Sequence, residues 1–464
     1  MKGKNQAKES GPLLATHAWW VGAIGGMIGV RFVFRWIPQG VITWNIILLR
    51  SESHCAARIN NEHLRVKLLP KPRVKMSKGA QIVGWSHIPF GKREEPDVEA
   101  LMRLVSLDAL RHAEVEPRDL DGIYVGVMNN GFSRQGFEGA LVALADPGLS
   151  YVPATRVENA CATGSAAIHA AMDFIESGRG RIALVVGAEK MTALPNSDVG
   201  NVLLCASYHK EEAGPAGFAG IFGKIAQQYF DRYGDRSVEL AKIAAKNHKN
   251  GVENPYAQIR KDLGFEFCNS VSDKNPYVAK PLRRTDCSLV SDGAAALVLA
   301  DEETAKGLKR RIAFRSRVHA NDILPLSRRD PLAFAGAAKA WAFALYRAGI
   351  TLGDLSVVET HDCFTIAELI QYEAMGWVPP GKGHHVVHEG WAQKNGKLPV
   401  NPSGGLKSKG HPIGATGVSM HVMACLQLMG EAQAMQIPGA TLAGVFNMGG
   451  AAVANYVSIL ERVK

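Results

Sequence analysis

Cys161 stands where an extended run, Thr155–Glu158, gives way to an alanine-rich helical pattern, in the segment Asn159–Ala–Cys161–Ala–Thr–Gly164–Ser. Free N–H groups and the helix dipole at such a junction favour thiolate over thiol, so a nucleophilic cysteine is expected there. A structural cysteine packed among alanines is the competing reading. His361–Asp362–Cys363–Phe364 follows a second extended run, Ser356–Thr360, and so arrives at the C-terminal end of a strand, where α/β proteins build sites. Alternation along extended backbone points His361 and Cys363 the same way, while Asp362 reads in part as a helix cap. A third loop carries Gly404–Gly405 and Gly410–His411–Pro412–Ile413–Gly414, whose glycines permit close backbone approach and whose histidine can act near neutral pH. Asn447–Met448–Gly449–Gly450 ends another strand, and an unobstructed glycine N–H there suits a developing oxyanion or a tight turn. His384, His385 and His388 lack the acidic or cysteine partners of a metal motif and read as an exposed loop, so no metal site is expected.

These residues need a scaffold, and from Met76 onward β-branched runs alternate with alanine-rich amphipathic runs, the pattern of an α/β protein with a buried sheet. Gln81–Trp85, Ile182–Val186 and Val357–Thr360 read as strands. Ala100–Ala113, Ala162–Ser177, Leu332–Ala348 and Thr416–Met429 read as helices. The pattern also repeats: the Cys161 segment, a small-residue helix and the strand Ile182–Val186 are echoed by Gly410–Gly417, a small-residue helix and the strand Thr441–Phe446. Each half closes on a Gly/Ala-rich strand, after Ser291 in the first and after Gly449 in the second. Two similar halves place Cys161 and His411 at related helix N-termini, facing one another across a pseudo-twofold axis. The halves are expected at 76–305 and 306–464. The first carries an insertion, 192–284, that reads as a loop domain covering the site.

The formal charge of +10 sits almost wholly in residues 1–75, which hold 12 Lys/Arg against 3 Asp/Glu and leave the body at about +1. Nucleic acid is therefore not an expected partner. In the extension two apolar stretches, Ala18–Val30 and Ile37–Leu49, are each shorter than the roughly 20 residues of a spanning helix. They leave open a physiological protein that starts at Met76, an interfacial anchor and an ordered functional extension, beside a signal peptide for which no convincing cleavage site follows, with no firm membrane association expected. Seven cysteines without CxxC pairs suit a reducing compartment. With no disulfide framework and no peroxisomal tripeptide at Glu461–Arg–Val–Lys464, a cytoplasmic location is expected.

Taken together, the Cys161 segment, His361–Asp–Cys363–Phe364, Asn401–Pro–Ser–Gly404–Gly405, Gly410–His411–Pro412 and the terminal glycine strand resemble the thiolase family across nearly all of 78–462. The His–Asp–Cys–Phe form resembles its sterol-carrier-protein type, which is acetyl-CoA acetyltransferase-like. The resemblance implies the thiolase fold, two βαβαβαββ halves in five α-β-α-β-α layers. It implies acyl transfer between Cys161 and coenzyme A by a ping-pong route, in thiolysis of a 3-ketoacyl-CoA or in Claisen condensation. His411 would take the thiol proton and help hold a thioester oxygen, Cys363 would shuttle the α-proton, and His361 would polarise the enolate oxygen. The N–H groups of Cys161 and Gly449 would form the second oxyanion hole, and Asn401, Gly404 and Gly405 would contact substrate. Commoner thiolases carry a second catalytic cysteine where this chain has Asn447, and Cys363 is its expected replacement. Coenzyme A enters as substrate, no cofactor is implied, and a homodimer or dimer of dimers is expected. Among basic residues of the insertion, Lys242, Lys246, Lys249, Lys261, Lys274, Arg283 and Arg284 are unranked candidates for the phosphate contacts of coenzyme A, against the reading of each as a solvated side chain. Two rival readings stay open: a condensing enzyme of the β-ketoacyl-synthase kind, against which Cys363 argues, and a non-turnover acyl-CoA-binding scaffold. No lipid-transfer domain is read after the last strand.

Overall fold

Strand β1 (Gln81–His87), β2 (Gly122–Gly126), β3 (Ala154–Val157), β4 (Ile182–Glu189) and β5 (Gly293–Ala300) build the first half of the computed structural model. The second half uses β6 (Ile312–Asn321), β7 (Val357–Thr360), β8 (Leu442–Gly449) and β9 (Ala454–Arg462). The structure describes residues 79–463 together with two strands of the extension, Val30–Trp36 and Ile42–Leu48. Those two strands pair antiparallel, Val30 opposite Leu48 and Trp36 opposite Ile42. The apolar run from Ala18 and the aperiodic 58–75 segment, with the readings attached to them, lie outside the described residues.

Within the body, Val74–Lys464, the strand order is β3-β2-β4-β5-β1 and then β6-β9-β8-β7. The second run repeats the first in reverse, and a parallel bridge from Val400 to Val358 on β7 stands where β3 stands beside β2. The halves meet through the edge pairs Ile82–Ile312 and Gln81–Ala313, so one continuous sheet results. The duplication in the sequence is therefore a duplication of topology.

Helices explain the layering. α1 (Val98–Ala113) starts at Asp97, whose carboxylate accepts the Ala100 N–H at 2.9 Å, and lays Leu101, Met102, Val105 and Ala109 on β1, β4 and β5. α2 (Thr163–Glu176) and α7 (Ile413–Met429) run between the two halves of the sheet, while α5 (Ala335–Ala348) covers β6 and β9 from outside. α7 is buried from Ile413 to Leu428 on every face, as a helix in a central layer must be. Helix, sheet, central helices, sheet and helix make the five layers of the expected fold.

α2 and α7 cross at their small residues. A Cβ at Gly164 would lie 2.7 Å from Val418 N, and one at Gly417 would lie 2.3 Å from Ser165 N. Only glycine allows this approach, which sets the N-termini of the two helices side by side. The insertion holds α3 (Gly217–Tyr233) and α4 (Ser237–Val252), which with the shorter helices Asn196–Leu203, His209–Glu212 and Gly264–Asn269 make about half of it helical. α6 (Thr365–Ala374) follows the His361–Phe364 loop. The His384–His388 cluster, expected as an exposed loop, forms the short helix Gly383–His388 with Val386 buried. No helix among the described residues is long and apolar enough to cross a membrane.

Candidate active site

Cys161 precedes α2 by two residues and His411 precedes α7 by two, so the glycine-tight crossing brings both to one point. Donor atoms of Cys161, His361 and His411 all lie within 4.8 Å of one another, with the two imidazole rings edge to face at 5.0 Å between centroids. All three residues are buried. Cys161, Cys363 and His411 line the same cavity, of about 420 Å³, whose other walls include Met191, Phe218, Phe364 and Ile413.

Hydrogen bonds assign opposite tautomers to the two histidines. Thr416 Oγ1 donates its proton to Pro412 O (2.9 Å), so toward His411 Nδ1 (2.7 Å) it accepts. His411 therefore carries its proton on Nδ1, and its Nε2, which meets no other partner, offers a lone pair. Asn447 lies on β8, and its amide nitrogen donates to the Cys161 carbonyl at 3.0 Å and to His361 Nδ1 at 2.9 Å. A carbonyl oxygen can only accept, so this amide orientation is fixed and His361 Nδ1 must accept. His361 consequently presents Nε2–H, also without a partner. One imidazole is a base and the other a hydrogen-bond donor.

The donor set Cys/His/His could suggest zinc. With Nε2 of His361 protonated, however, only Cys161 and His411 offer lone pairs, two short of a tetrahedral site.

Electrostatics correct the thiolate expected at Cys161. Burial pushes its thiol up to about 12, against weaker opposing hydrogen bonds from the N–H groups of Gly450 and Cys161 itself. A shift from 12 to neutral pH corresponds to roughly 7 kcal/mol, which the helix terminus at roughly 1 kcal/mol does not offset. Burial likewise lowers His411 to about 3, with the Lys409 ammonium adding to it, and holds His361 well below the usual imidazole range. The resting site is a neutral thiol beside a neutral imidazole. Proton transfer between them creates opposite charges in contact, whereas either charge alone is penalised. Alkylation of Cys161 by iodoacetamide, followed on its own peptide, is expected to accelerate about tenfold per pH unit from about pH 7 to about pH 10 without levelling. The sign follows from the raised pKa, because the thiol form persists up to it. A plateau near pH 7 would contradict this picture.

Cys363 is raised well above the ordinary thiol range by burial first, then by Cys161 and Asp362. Its loop is pinned from three sides. Ser288 N donates to Cys363 O at 2.8 Å, Phe364 stacks on Phe222 of α3 at 4.4 Å, and Asp362 accepts the N–H groups of Leu406 (2.7 Å) and Lys407 (3.2 Å). Asp362 thus caps the short helix Gly405–Lys409 and not the helix that follows it, α6, whose N-cap is Phe364.

Asn401, Gly404 and Gly405, expected against substrate, sit behind the site and not in the cavity wall. Asn401 Oδ1 accepts the Thr360 N–H at 2.8 Å, which fixes the strand that delivers His361. At Gly405 (φ +57°) a Cβ would fall 2.4 Å from Asp362 Oδ2, so glycine is what lets the carboxylate reach the helix. The motif's glycines are needed by protein backbone. Gly449 lies with its Cα hydrogen side against Asn159 O, while the backbone N–H groups that reach the sulfur are those of Gly450 and of Cys161 itself. Of the basic residues in the insertion, Lys246 is buried against Glu368 at 2.9 Å and Arg283 against Asp286 at 3.0 Å, which removes both from solvent-facing phosphate contacts.

Sequence reading missed Glu189, a buried carboxyl at the end of β4 that accepts the N–H groups of Met128, Asn129 and Gly414, each at 3.0 Å, and is raised to about 7 by burial. It ties the start of α7, and with it His411, to the first half. It missed Thr416 and the part played by Asn447 as well, because both act through hydrogen bonds across 5 and 86 residues that no local pattern signals.

Residues 80–303 match the model of the thiolase N-terminal domain, and residues 319–462 that of the thiolase C-terminal domain-like family. The chain belongs to the thiolase family of acyltransferases. It is 34% identical to an acetyl-CoA acetyltransferase of Methanothermobacter thermautotrophicus over 82% of this chain and 99% of that one. It is 32% identical to sterol carrier protein 2 of Oryctolagus cuniculus over 83% of this chain and 72% of that one. Among solved structures, the Ltp2-ChsH2(DUF35) aldolase shares the fold with a TM-score of 0.70 at 20% identity, covering 83% of this chain and 98% of that one.

Proposed function

We propose that the chain is an acyl-CoA thiolase in which Cys161 carries the acyl group between a 3-ketoacyl-CoA and coenzyme A. The observation that carries this reading is the convergence of Cys161, His361 and His411, whose sulfur and ring nitrogens lie within 4.8 Å of one another, beside a cavity lined by Cys161, His411 and the second thiol, Cys363.

In the thiolysis direction Cys161 sulfur attacks the 3-keto carbon as His411 Nε2 takes the thiol proton. The C–C bond then breaks, and its electron pair becomes the enolate of the departing thioester, whose oxygen the His361 Nε2–H stabilises. Cys363 gives its S–H proton to the carbanion carbon. A thiol kept neutral by burial is available for that step and would not be as a thiolate. The Cys363 thiolate next takes the proton of coenzyme A, whose sulfur attacks the acyl group on Cys161. The resulting oxyanion is held by the N–H groups of Cys161 and Gly450, which already face the Cys161 sulfur, and collapse releases the product thioester while His411 returns its proton to Cys161. Reversal of these steps is Claisen condensation, and two half-reactions through one acyl-enzyme give ping-pong kinetics.

Coenzyme A is the second substrate, and the scheme uses no cofactor. A homodimer is proposed as well, supported by the open edge of β3 and by Phe137, Leu144 and Tyr151, which stand 81%, 56% and 102% exposed in the segment leading to it. A cytoplasmic location remains the proposed one. Purified protein given acetoacetyl-CoA and coenzyme A is expected to form acetyl-CoA with parallel double-reciprocal plots. Absence of both thiolysis and acetyl exchange would overturn the proposal.

A further inference from the structure

Behind His361–Phe364 lies a buried polar cluster to which the insertion contributes Lys246 and Asn247 and the second half Asp362, Glu368 and Tyr372. Asn247 of α4 donates from its Nδ2 to Asp362 Oδ2 at 2.8 Å and to Glu368 Oε2 at 2.7 Å. Lys246 Nζ donates to Asn247 Oδ1 at 2.5 Å, and an ammonium can only donate, so the amide is oriented with both of its hydrogens toward the carboxylates. Lys246 also pairs with Glu368 Oε1 at 2.9 Å and donates to Val400 O at 2.9 Å. Tyr372 donates to Glu368 as well. Asn247, Asp362, Glu368 and Tyr372 are at most 1% exposed.

Two carboxylates so close repel one another, and burial followed by Glu368 raises Asp362 to about 7. Yet Asp362 is the residue between His361 and Cys363, and its oxygens hold the N-terminus of the Gly405–Lys409 helix. A displaced Asp362 carries the proton-transfer thiol with it, and His361 on its other side, whereas Cys161 stands just before α2 and His411 is held by the Ser291 hydroxyl and by Thr416 of α7. We infer that Asn247 is a positioning residue for Cys363, its amide bridging the two buried carboxylates so that the insertion sets where the second thiol stands. The inference rests on the proposed role of Cys363 in proton transfer.

Asn247→Leu keeps the volume and removes both donors. Acylation of Cys161 by acyl-CoA should stay within about threefold of the unaltered enzyme, while thiolysis should fall about 100-fold, the usual scale for a reacting group shifted by about an ångström. Asn247→Asp supplies the second readout and covers the case in which the leucine variant does not fold. Its new carboxyl faces Asp362 and Glu368, with Lys246, Tyr372, Lys407 and Lys409 the other titratable groups around them. Two carboxylates raise its pKa, and only the protonated form donates a hydrogen bond. Thiolysis by this variant should therefore be present at low pH and be lost as pH rises through that pKa, a limb the unaltered enzyme lacks. Equal loss of acylation and thiolysis in Asn247→Leu, or an unaltered pH profile in Asn247→Asp, would overturn the inference. Should the unaltered protein instead fail to acylate Cys161, or should Cys363→Ala retain thiolysis, the underlying reading fails and Asn247 is not the cause.

Discussion

Cys161→Ala is expected to lower thiolysis by at least about 10⁴-fold, since loss of a covalent nucleophile removes the route and not merely a contribution to it. The sulfur is small and already neutral, so the fold should survive. Alanine at this position meets Ala162 and the N-terminus of α2, and the buried volume lost is one sulfur atom, a cost of roughly 1 kcal/mol. The control is therefore a melting temperature within a few degrees of that of the unaltered protein. Turnover that persists in a folded Cys161→Ala protein would remove the acyl-enzyme from the scheme.

The second large effect separates the two thiols. Cys363→Ala should still accept an acyl group from acyl-CoA on Cys161, because coenzyme A can leave as a thiolate without a proton from Cys363, and the His411 Nε2 that takes the Cys161 proton belongs to a ring held by Thr416 and not by Cys363. Thiolysis, which needs a proton delivered to carbon and then taken from coenzyme A, should fall about 10³-fold. Rapid-quench measurement of the two half-reactions decides the matter. Full thiolysis by Cys363→Ala would reassign the proton to another group, and loss of acylation would mean that the two thiols act as one unit.

Much of this arrangement was legible in the sequence because duplication is a long-range signal written locally. The echo between the Cys161 and His411 segments paired a nucleophile with a base before any contact was known, and Gly164 and Gly417 carry the physical reason. Strand Val357–Thr360 and the ends of most helices came within a few residues for a similar reason, buried β-branched and alanine-rich runs having distinct periods.

What stayed hidden depends on burial and on partners far apart in the chain. A helix N-terminus argues for thiolate only while water or charge supports it, and at Cys161 neither does. Gly404 and Gly405 read as substrate contacts because glycine marks close approach without saying to what, and here the neighbours are Gly251 and Asp362. Asn447 looked like the loss of a catalytic cysteine, whereas its amide fixes the tautomer of His361 and holds the Cys161 carbonyl. Such roles need donors and acceptors in space, and the one-dimensional pattern contains neither.

The central claim is that one sulfur, Cys161, carries the acyl group. Incubating the Cys363→Ala protein with acetyl-CoA and mapping peptides by mass should find a single acetyl group, on the peptide containing Cys161. An acetyl group on another cysteine, or none under conditions where the unaltered enzyme turns over, would contradict the account.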